Sequence, residues 1–244
     1  MKASLFVSCL VDQFYPEIGE SVVKILRRLG VEVDFPAGQT CCGQPAFNSG
    51  FSNQAKPLAR RFIDLFADSE YVVIPSGSCT SMLKVFSPQL FQDDTALTDQ
   101  ARSLAERTYE FSQFLVNVLG VTDVGARFEG TVTYQASCHL LREIGGTTEA
   151  QDLIRSVRGV QFVEMADTND CCGFGGTFSV KFPQISGAIL DSKLSSIEAT
   201  GSDILVSCDA GCLMHMAGAM SRRGMKTRPM HLAQLLAGEV SGAS

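Results

Sequence analysis

The chain has 244 residues, 45% of them hydrophobic and 19% charged, which is enough apolar material for a large core without disulfides. Its formal net charge of -6 disfavours a nucleic-acid partner, because phosphate binding needs clustered lysine and arginine side chains. Charged residues interrupt every long apolar run before it reaches the roughly 18 residues of a membrane helix. We therefore expect no transmembrane segment and a cytoplasmic protein.

The first half of the chain alternates short apolar runs with longer amphipathic segments. Strands are predicted at 3–8, 31–35 and 71–75, and helices at about 16–29, 54–67, 79–87 and 98–119. A turn-rich stretch from Gly120 to Gly130 follows, and we take it as a domain boundary. This alternation is typical of βαβ units around a mostly parallel sheet.

The second half repeats the first. Strands are predicted at 131–137, 160–164 and 203–207, and helices at about 147–157, 183–199, 212–223 and 230–237. The cysteines set the alignment, which pairs Cys9 with Cys138, Cys41-Cys42-Gly43 with Cys171-Cys172-Gly173, and Cys79 with Cys212. The predicted architecture is α/β, with two homologous Rossmann-like βαβ halves at 1–120 and 131–240.

The cysteines fall at the carboxyl ends of the predicted strands. Cys9, Cys79, Cys138 and Cys208 each end a strand, and both Cys-Cys-Gly triplets begin just after one. Open α/β sheets bind ligands at these strand ends. We therefore expect the sulfur atoms of each half to converge in a pocket of their own, giving two separate pockets.

Cysteine thiolates are soft ligands that select iron-sulfur clusters, zinc or copper(I). The first half offers Cys9, Cys41, Cys42 and Cys79, with Met82 where a second close cysteine would be expected. The second half offers five candidates, which are Cys138, Cys171, Cys172, Cys208 and Cys212. Adjacent cysteines can bind different irons of one cluster, so the pattern favours a polynuclear centre over a single zinc. Repeat alignment makes Cys212 a firmer candidate than Cys208.

Several neighbouring residues are candidates for supporting roles. Gly43 and Gly173 permit close approach of backbone N–H groups to sulfur, and His139 is placed to hydrogen-bond a cluster sulfur, to shuttle a proton or simply to pack. Two readings without metal stay open for the cysteines, namely core packing and dithiol exchange, although no Cys-x-x-Cys occurs. Structural or shielding roles are expected for His215, His231, Phe47 and Phe178.

Two Cys…Cys-Cys-Gly…Cys repeats covering nearly the whole chain resemble the cysteine-rich CCG family. The family includes the cysteine-rich subunit of heterodisulfide reductase, the C-terminal part of glycolate oxidase iron-sulfur subunits, and the lactate utilisation proteins. The chain is most similar to the lactate utilisation branch. The resemblance lies in three segments, which are Pro75-Ser76-Gly77-Ser78-Cys79, Ser137-Cys138-His139-Leu140-Leu141-Arg142 and Asp209-Ala210-Gly211-Cys212-Leu213-Met214.

The resemblance implies an oxidoreductase subunit with 4Fe-4S clusters, noncubane in the second half if five cysteines bind there. With Met82 in place of a cysteine, the first half could hold an ordinary cluster, a labile cluster or zinc. The implied function is electron transfer in an L-lactate-oxidising complex. Its partners would include a ferredoxin-type iron-sulfur protein, because the chain lacks the C-x-x-C-x-x-C run of ferredoxins. The alternatives are a heterodisulfide- or quinone-linked reductase subunit and a zinc-stabilised interaction module.

Overall fold

The computed structural model describes residues 1–238 and shows two α/β halves, each built on a four-stranded parallel sheet. The strands of the first sheet are β1 (Lys2–Leu5), β2 (Glu32–Asp34), β3 (Tyr71–Ile74) and β4 (Thr108–Glu110). The strands of the second sheet are β5 (Arg127–Gln135), β6 (Arg158–Phe162), β7 (Ile204–Ser207) and β8 (Arg228–His231). The predicted α/β class is confirmed, and all the strand pairs within these residues are parallel.

Both sheets have the same strand order, β2-β1-β3-β4 in the first and β6-β5-β7-β8 in the second. The central strands correspond as well, since Leu5 pairs with Val73 on one sheet and Gln135 pairs with Ser207 on the other. The two sheets are therefore structural repeats. The last two positions of the predicted second repeat, 239 and 240, lie outside the described residues.

Helices follow the strands and cover the sheets. In the first half they are α1 (Cys9–Phe14), α2 (Pro16–Arg28), α3 (Gln44–Asn48), α4 (Ser52–Phe66), α5 (Gly77–Ser81), α6 (Ser87–Leu90), α7 (Thr95–Glu106) and α8 (Phe111–Gln113). In the second half they are α9 (Cys138–Arg142), α10 (Glu149–Arg155), α11 (Thr177–Lys181), α12 (Pro183–Thr200), α13 (Ala210–Arg223) and α14 (Leu232–Leu236). Two π-helical turns, Met82–Phe86 and Phe114–Val118, extend α5 and α8.

Two predicted helices are wrong in part, because each contains the fourth strand of its sheet. The predicted helix 98–119 is interrupted by β4, whose last residue, Glu110, is a buried acidic residue that is unusual in a strand. The predicted helix 230–237 begins instead as β8, whose sequence Arg-Pro-Met-His lacks an apolar run. A proline is tolerated there because β8 is an edge strand and one side of its backbone is unpaired.

The largest hydrophobic core contains side chains from both halves. Ile25 and Phe114 of the first half and Val132 and Leu232 of the second are among its fully buried members. Each side chain of this size contributes roughly 1.5–3 kcal/mol when fully buried. A smaller core lies in each half, around Phe66 in the first and Leu194 in the second. Over residues 1–238, no helix combines the length and the apolar character required to cross a bilayer.

Candidate metal-binding site

The four cysteines of the first half meet at the carboxyl end of its sheet. Cys9 begins α1 after β1, Cys41 and Cys42 lie in the loop between β2 and α3, and Cys79 lies in α5 after β3. The thiols form a row in which Cys9 interacts with Cys41 and Cys41 with Cys42. The row ends at Cys79, whose Sγ atom is 3.3 Å from that of Cys42. The structure thus brings together residues up to 70 positions apart.

Four of the five cysteines of the second half form the same arrangement. Cys138 begins α9, Cys171 and Cys172 precede α11, and Cys212 lies in the first turn of α13. Their thiols interact in the same order, from Cys138 through Cys171 and Cys172 to Cys212. We call these two rows the first and second cysteine sets.

Helix starts place the outer cysteines of each set. Ser8 is the N-cap of α1 and accepts a hydrogen bond from Val11 N, so that Cys9 is the first helical residue. Ser76 caps α5 in the same way by accepting from Cys79 N at 3.2 Å. The sheet and helix geometry therefore gathers the sulfur atoms of each set at one end of its sheet.

The glycine after each cysteine pair turns the backbone toward sulfur. Gly43 and Gly173 have φ angles of +88° and +87°. Residues with a Cβ atom adopt such positive φ angles only at an energetic cost. The Gly43 N–H lies 3.5 Å from Cys41 Sγ, and the Gly173 N–H lies 3.3 Å from Cys171 Sγ. Both glycines therefore donate to the first cysteine of the pair.

The first cysteine of each Cys-Cys pair has a lowered pKa. Hydrogen bonds from Cys42, Cys9 and the Gly43 N–H lower the pKa of Cys41. Hydrogen bonds from Cys138, Cys172 and the Gly173 N–H lower the pKa of Cys171, with a smaller contribution from the charge of Arg142. The outer thiols Cys9 and Cys138 have raised pKa values because they donate to these sulfurs and are partly buried.

The histidines differ in their distance from the sets. His139 Nδ1 lies 3.6 Å from Cys138 Sγ, which leaves it beside the second set. His215 packs against the Phe174 ring, with a centroid distance of 5.6 Å. His231 is fully buried as the N-cap of α14, and Gln234 completes its capping box. Only His139 thus touches a cysteine of the two sets.

Cys208 is not placed with the other cysteines of the second half. It follows β7 directly, and its side chain is fully buried in the core shared by the two halves, where the Tyr134 hydroxyl lies 3.7 Å from its Sγ. Burial raises the pKa of this thiol, which disfavours the thiolate form that ligates metals. Of the five candidates in the second half, the structure thus brings four to the cavity and leaves Cys208 apart from them. Met82 is also fully buried, in the smaller core of the first half.

Both cysteine sets line one cavity of about 370 Å³. The expectation of two separate pockets was wrong, because the carboxyl ends of the two sheets face each other across this cavity. Its lining also includes Phe174, Gly176, Thr177 and Val180 of the loop and helix after the second Cys-Cys-Gly triplet. Phe47 and Phe178 stack instead on other rings, Phe86 and Phe182, at centroid distances of 5.2 and 5.6 Å.

Two polar residues at this cavity were missed by sequence reasoning. Ser76 and Asp209 stand three residues before Cys79 and Cys212, and both line the cavity. A helix-cap pattern, with serine or aspartate directly before a predicted helix, was the signal that would have identified them.

The donor chemistry of the two sets fits an iron-sulfur cluster. Thiolates are the ligands that hold such clusters, and each set presents four cysteine sulfurs to the cavity. In the part of the chain that the structure describes, no three His, Cys, Asp or Glu side chains surround a point as ligands of one metal ion.

A model of the CCG family, described as a cysteine-rich domain, matches residues 3–84 and 132–217. The chain is 50% identical over 236 residues to lactate utilization protein A of Bacillus subtilis (strain 168), covering 97% of this chain and 99% of that protein. It is 48% identical, with the same coverage, to lactate utilization protein A of Bacillus licheniformis.

Among solved structures, a periplasmic solute-binding protein from Actinobacillus succinogenes 130z aligns over 93% of this chain and 77% of its own. The alignment has 8% identity and a TM-score of 0.35, a level of similarity on which no conclusion rests. The family match spans both cysteine sets, each within one copy of the domain. The chain therefore belongs to the CCG cysteine-rich domain family, in which its relatives include the proteins named lactate utilization protein A.

Proposed function

We propose that the chain is an iron-sulfur subunit of an L-lactate-oxidising complex and transfers electrons through cysteine-ligated clusters. The observation that carries this proposal is the pair of matching four-thiol rows at one cavity, in a chain 50% identical to a lactate utilization protein A. Each repeat, 1–120 and 131–240, would hold one cluster. A bound cluster would supply one-electron redox chemistry.

The residues that would hold the clusters are the eight cysteines that line the cavity. They are Cys9, Cys41, Cys42 and Cys79 in the first half and Cys138, Cys171, Cys172 and Cys212 in the second. The N–H groups of Gly43 and Gly173 would hydrogen-bond ligand sulfur, which helps to set the reduction potential. Four thiolates per half support an ordinary 4Fe-4S cluster in each, since Cys208 lies apart.

The redox partner belongs to this proposal as well. The chain carries no ferredoxin-type cysteine run, so electrons have to pass to or from another polypeptide. We infer that this partner is a ferredoxin-type iron-sulfur protein of the same complex. Deletion of the gene should abolish growth on L-lactate and leave growth on pyruvate unchanged, because pyruvate is the product of the proposed oxidation.

A metal assay tests the cofactor directly. The chain is purified without oxygen, reconstituted with iron and sulfide, and assayed for iron, sulfide and zinc. We expect iron and sulfide in similar amounts with visible absorption. A colourless protein that takes up stoichiometric zinc and no iron would instead support the zinc-stabilised module.

The shared cavity favours a second candidate, a reductase subunit that binds its own substrate between the two sets. The cavity is lined by both sets together with Phe174, Thr177 and Val180, and a small organic molecule bound against these side chains would lie next to both clusters. A heterodisulfide or a quinone is the substrate class of this alternative. Reduction of either compound by the reconstituted chain with a chemical electron donor, together with normal growth of the deletion strain on L-lactate, would favour it.

A further inference from the structure

The carboxylate of Asp209 is buried between the two cysteine sets. Its residue is 3% exposed. One oxygen, Oδ2, accepts hydrogen bonds from Ser76 Oγ at 3.1 Å and from the Ser78 N–H at 2.9 Å. The other oxygen, Oδ1, accepts from the Gly211 N–H at 3.0 Å. A single side chain of the second half therefore binds the first turns of two helices, α5 with Cys79 and α13 with Cys212.

Ser76 and Asp209 occupy equivalent positions in the two repeats. Each is the N-cap of the helix that carries the last cysteine of its set, three residues further along the chain. The two caps are also in direct contact, and the Gly77 N–H donates to the Cys208 carbonyl at 3.3 Å beside them. The two cap turns thus form part of the interface between the halves at the cavity.

Of the two contacting caps, only Asp209 is acidic. If both caps were aspartate, two carboxylates would lie within hydrogen-bonding distance in a buried site, where like charges repel strongly. The repeats therefore differ here, with a neutral hydroxyl that donates in the first half and a carboxylate that accepts in the second. Hydrogen bonds to a charged group are stronger than those between neutral groups, so these contacts help to hold both helix starts in place.

We propose that Asp209 is a positioning residue for both cysteine sets, holding Cys79 of the first half from within the second half. This role concerns the thiols of the chain itself and is independent of the group that they bind. The buried, multiply bonded carboxylate distinguishes Asp209 from an ordinary helix cap, which serves only its own helix.

Residue-resolved alkylation tests this proposal. The reduced, metal-free chain is treated with iodoacetamide without oxygen, and mass spectrometry follows each cysteine peptide. In Asp209→Ala the start of α5 loses its hydrogen bonds to a charged group, so Cys79 becomes more accessible. We expect it to react on the order of tenfold faster than in the wild type. Asp209→Asn keeps one oxygen acceptor and should give a smaller increase. Cys9, which Asp209 does not contact, should change less than about twofold.

Asp203→Asn is the matched control. Asp203 directly precedes the amino end of β7, whereas Asp209 follows its carboxyl end. Asp203 accepts hydrogen bonds from Thr131 N and Thr131 Oγ1 at 2.8 and 2.7 Å. Its substitution changes the net charge equally but should leave the rate at Cys79 unchanged.

Two outcomes would overturn the proposal. One is an unchanged rate at Cys79 in folded Asp209→Ala or, if that variant does not fold, in Asp209→Asn. The other is an equal rise at every cysteine, including Cys208 in the shared core, because that would report general loosening of the fold. A rise confined to the cap turns supports positioning, and neither result depends on cluster loading.

Discussion

The Tyr134 hydroxyl lies 3.7 Å from the Cys208 thiol, in the core that both halves share. Both side chains are almost completely buried there. Only four residues further along the chain, Cys212 lines the cavity with seven other cysteines. Two cysteines that are close in sequence thus have different roles, since Cys208 packs in the core and Cys212 is a candidate ligand.

Alanine substitution at these two positions should have different effects. Cys208→Ala leaves iron uptake unchanged and destabilises the fold by about 1 kcal/mol, because it removes one buried sulfur atom from the core. Cys212→Ala loses about half of the iron, because it removes one of the four ligands of the second set. Iron and sulfide assays after reconstitution, together with urea unfolding, measure both effects. Equal iron loss in the two variants would contradict this prediction and would show that Cys208 also binds the cluster.

Glu110 should make the fold less stable as the pH rises. Burial raises the pKa of its carboxyl from 4.5 to about 7, although hydrogen bonds from Ser112 oppose the shift. Because the folded state favours the neutral acid, stability is full below pH 4.5 and falls between about pH 4.5 and 7. The shift corresponds to roughly 3 kcal/mol at most, at 1.36 kcal/mol per pKa unit.

The glutamine side chain of Glu110→Gln cannot ionise, so this variant should not lose stability as the pH rises. Urea unfolding at pH 5 and pH 8 compares the variant with the wild type. We expect the free energy of unfolding of the wild type to fall by about 2–3 kcal/mol relative to the variant across this interval. Parallel curves for the two proteins would show that Glu110 is already ionised in the fold.

His231 should destabilise the fold in acid. Burial lowers the pKa of this helix cap from 6.5 to about 4, although the charge of Asp209 opposes the shift. Because the folded state favours the neutral ring, stability is full above pH 6.5 and falls as the pH drops toward 4. The variant His231→Asn keeps a capping side chain without a titratable ring.

The wild type should therefore lose about 2–3 kcal/mol relative to this variant between pH 7 and pH 4, measured by urea unfolding. A constant difference between the two proteins over this range would mean that His231 is protonated equally easily in the folded and unfolded chains.

The two glycines of the Cys-Cys-Gly triplets should tolerate alanine differently. Both have positive φ, so Gly43→Ala costs about 1 kcal/mol for its backbone conformation alone. A methyl group on Gly43 would lie 3.4 Å from its nearest neighbour, Ala55 O. The same group on Gly173 would lie 2.6 Å from Ser186 O, a clash with backbone that raises the cost to about 2–4 kcal/mol.

Thermal unfolding of the metal-free variants separates the two contributions. Gly43→Ala serves as the control, because it is destabilised by the positive φ angle alone and its methyl group makes no severe clash. An equal decrease in Tm for the two variants would show that α12 shifts freely away from Gly173 and that the triplet is not closely packed there.

Several features of the fold could be predicted because they depend on local patterns. The strands before Cys9, Cys79 and Cys138 are short apolar runs bounded by turns, and the structure contains all three. The strands β4 and β8 could not be found in this way. Thr108–Glu110 is only three residues long and ends in a buried acidic residue, and Arg228–His231 contains a proline on a sheet edge. They form by pairing with β3 and β7, which are distant in sequence, so the local amino-acid composition does not predict them.

The amino-acid sequence by itself determined the repeat, the α/β class and the grouping of cysteines at strand ends, because regular spacing and strand periodicity are local properties of the chain. The tertiary structure decided which sulfur atoms meet. Cys208 and Cys212 are close in sequence, yet one side chain faces the shared core and the other the cavity. Only the packing of one half against the other merges the two sets into one cavity and brings Asp209 to Ser76, since these contacts join residues more than 100 positions apart.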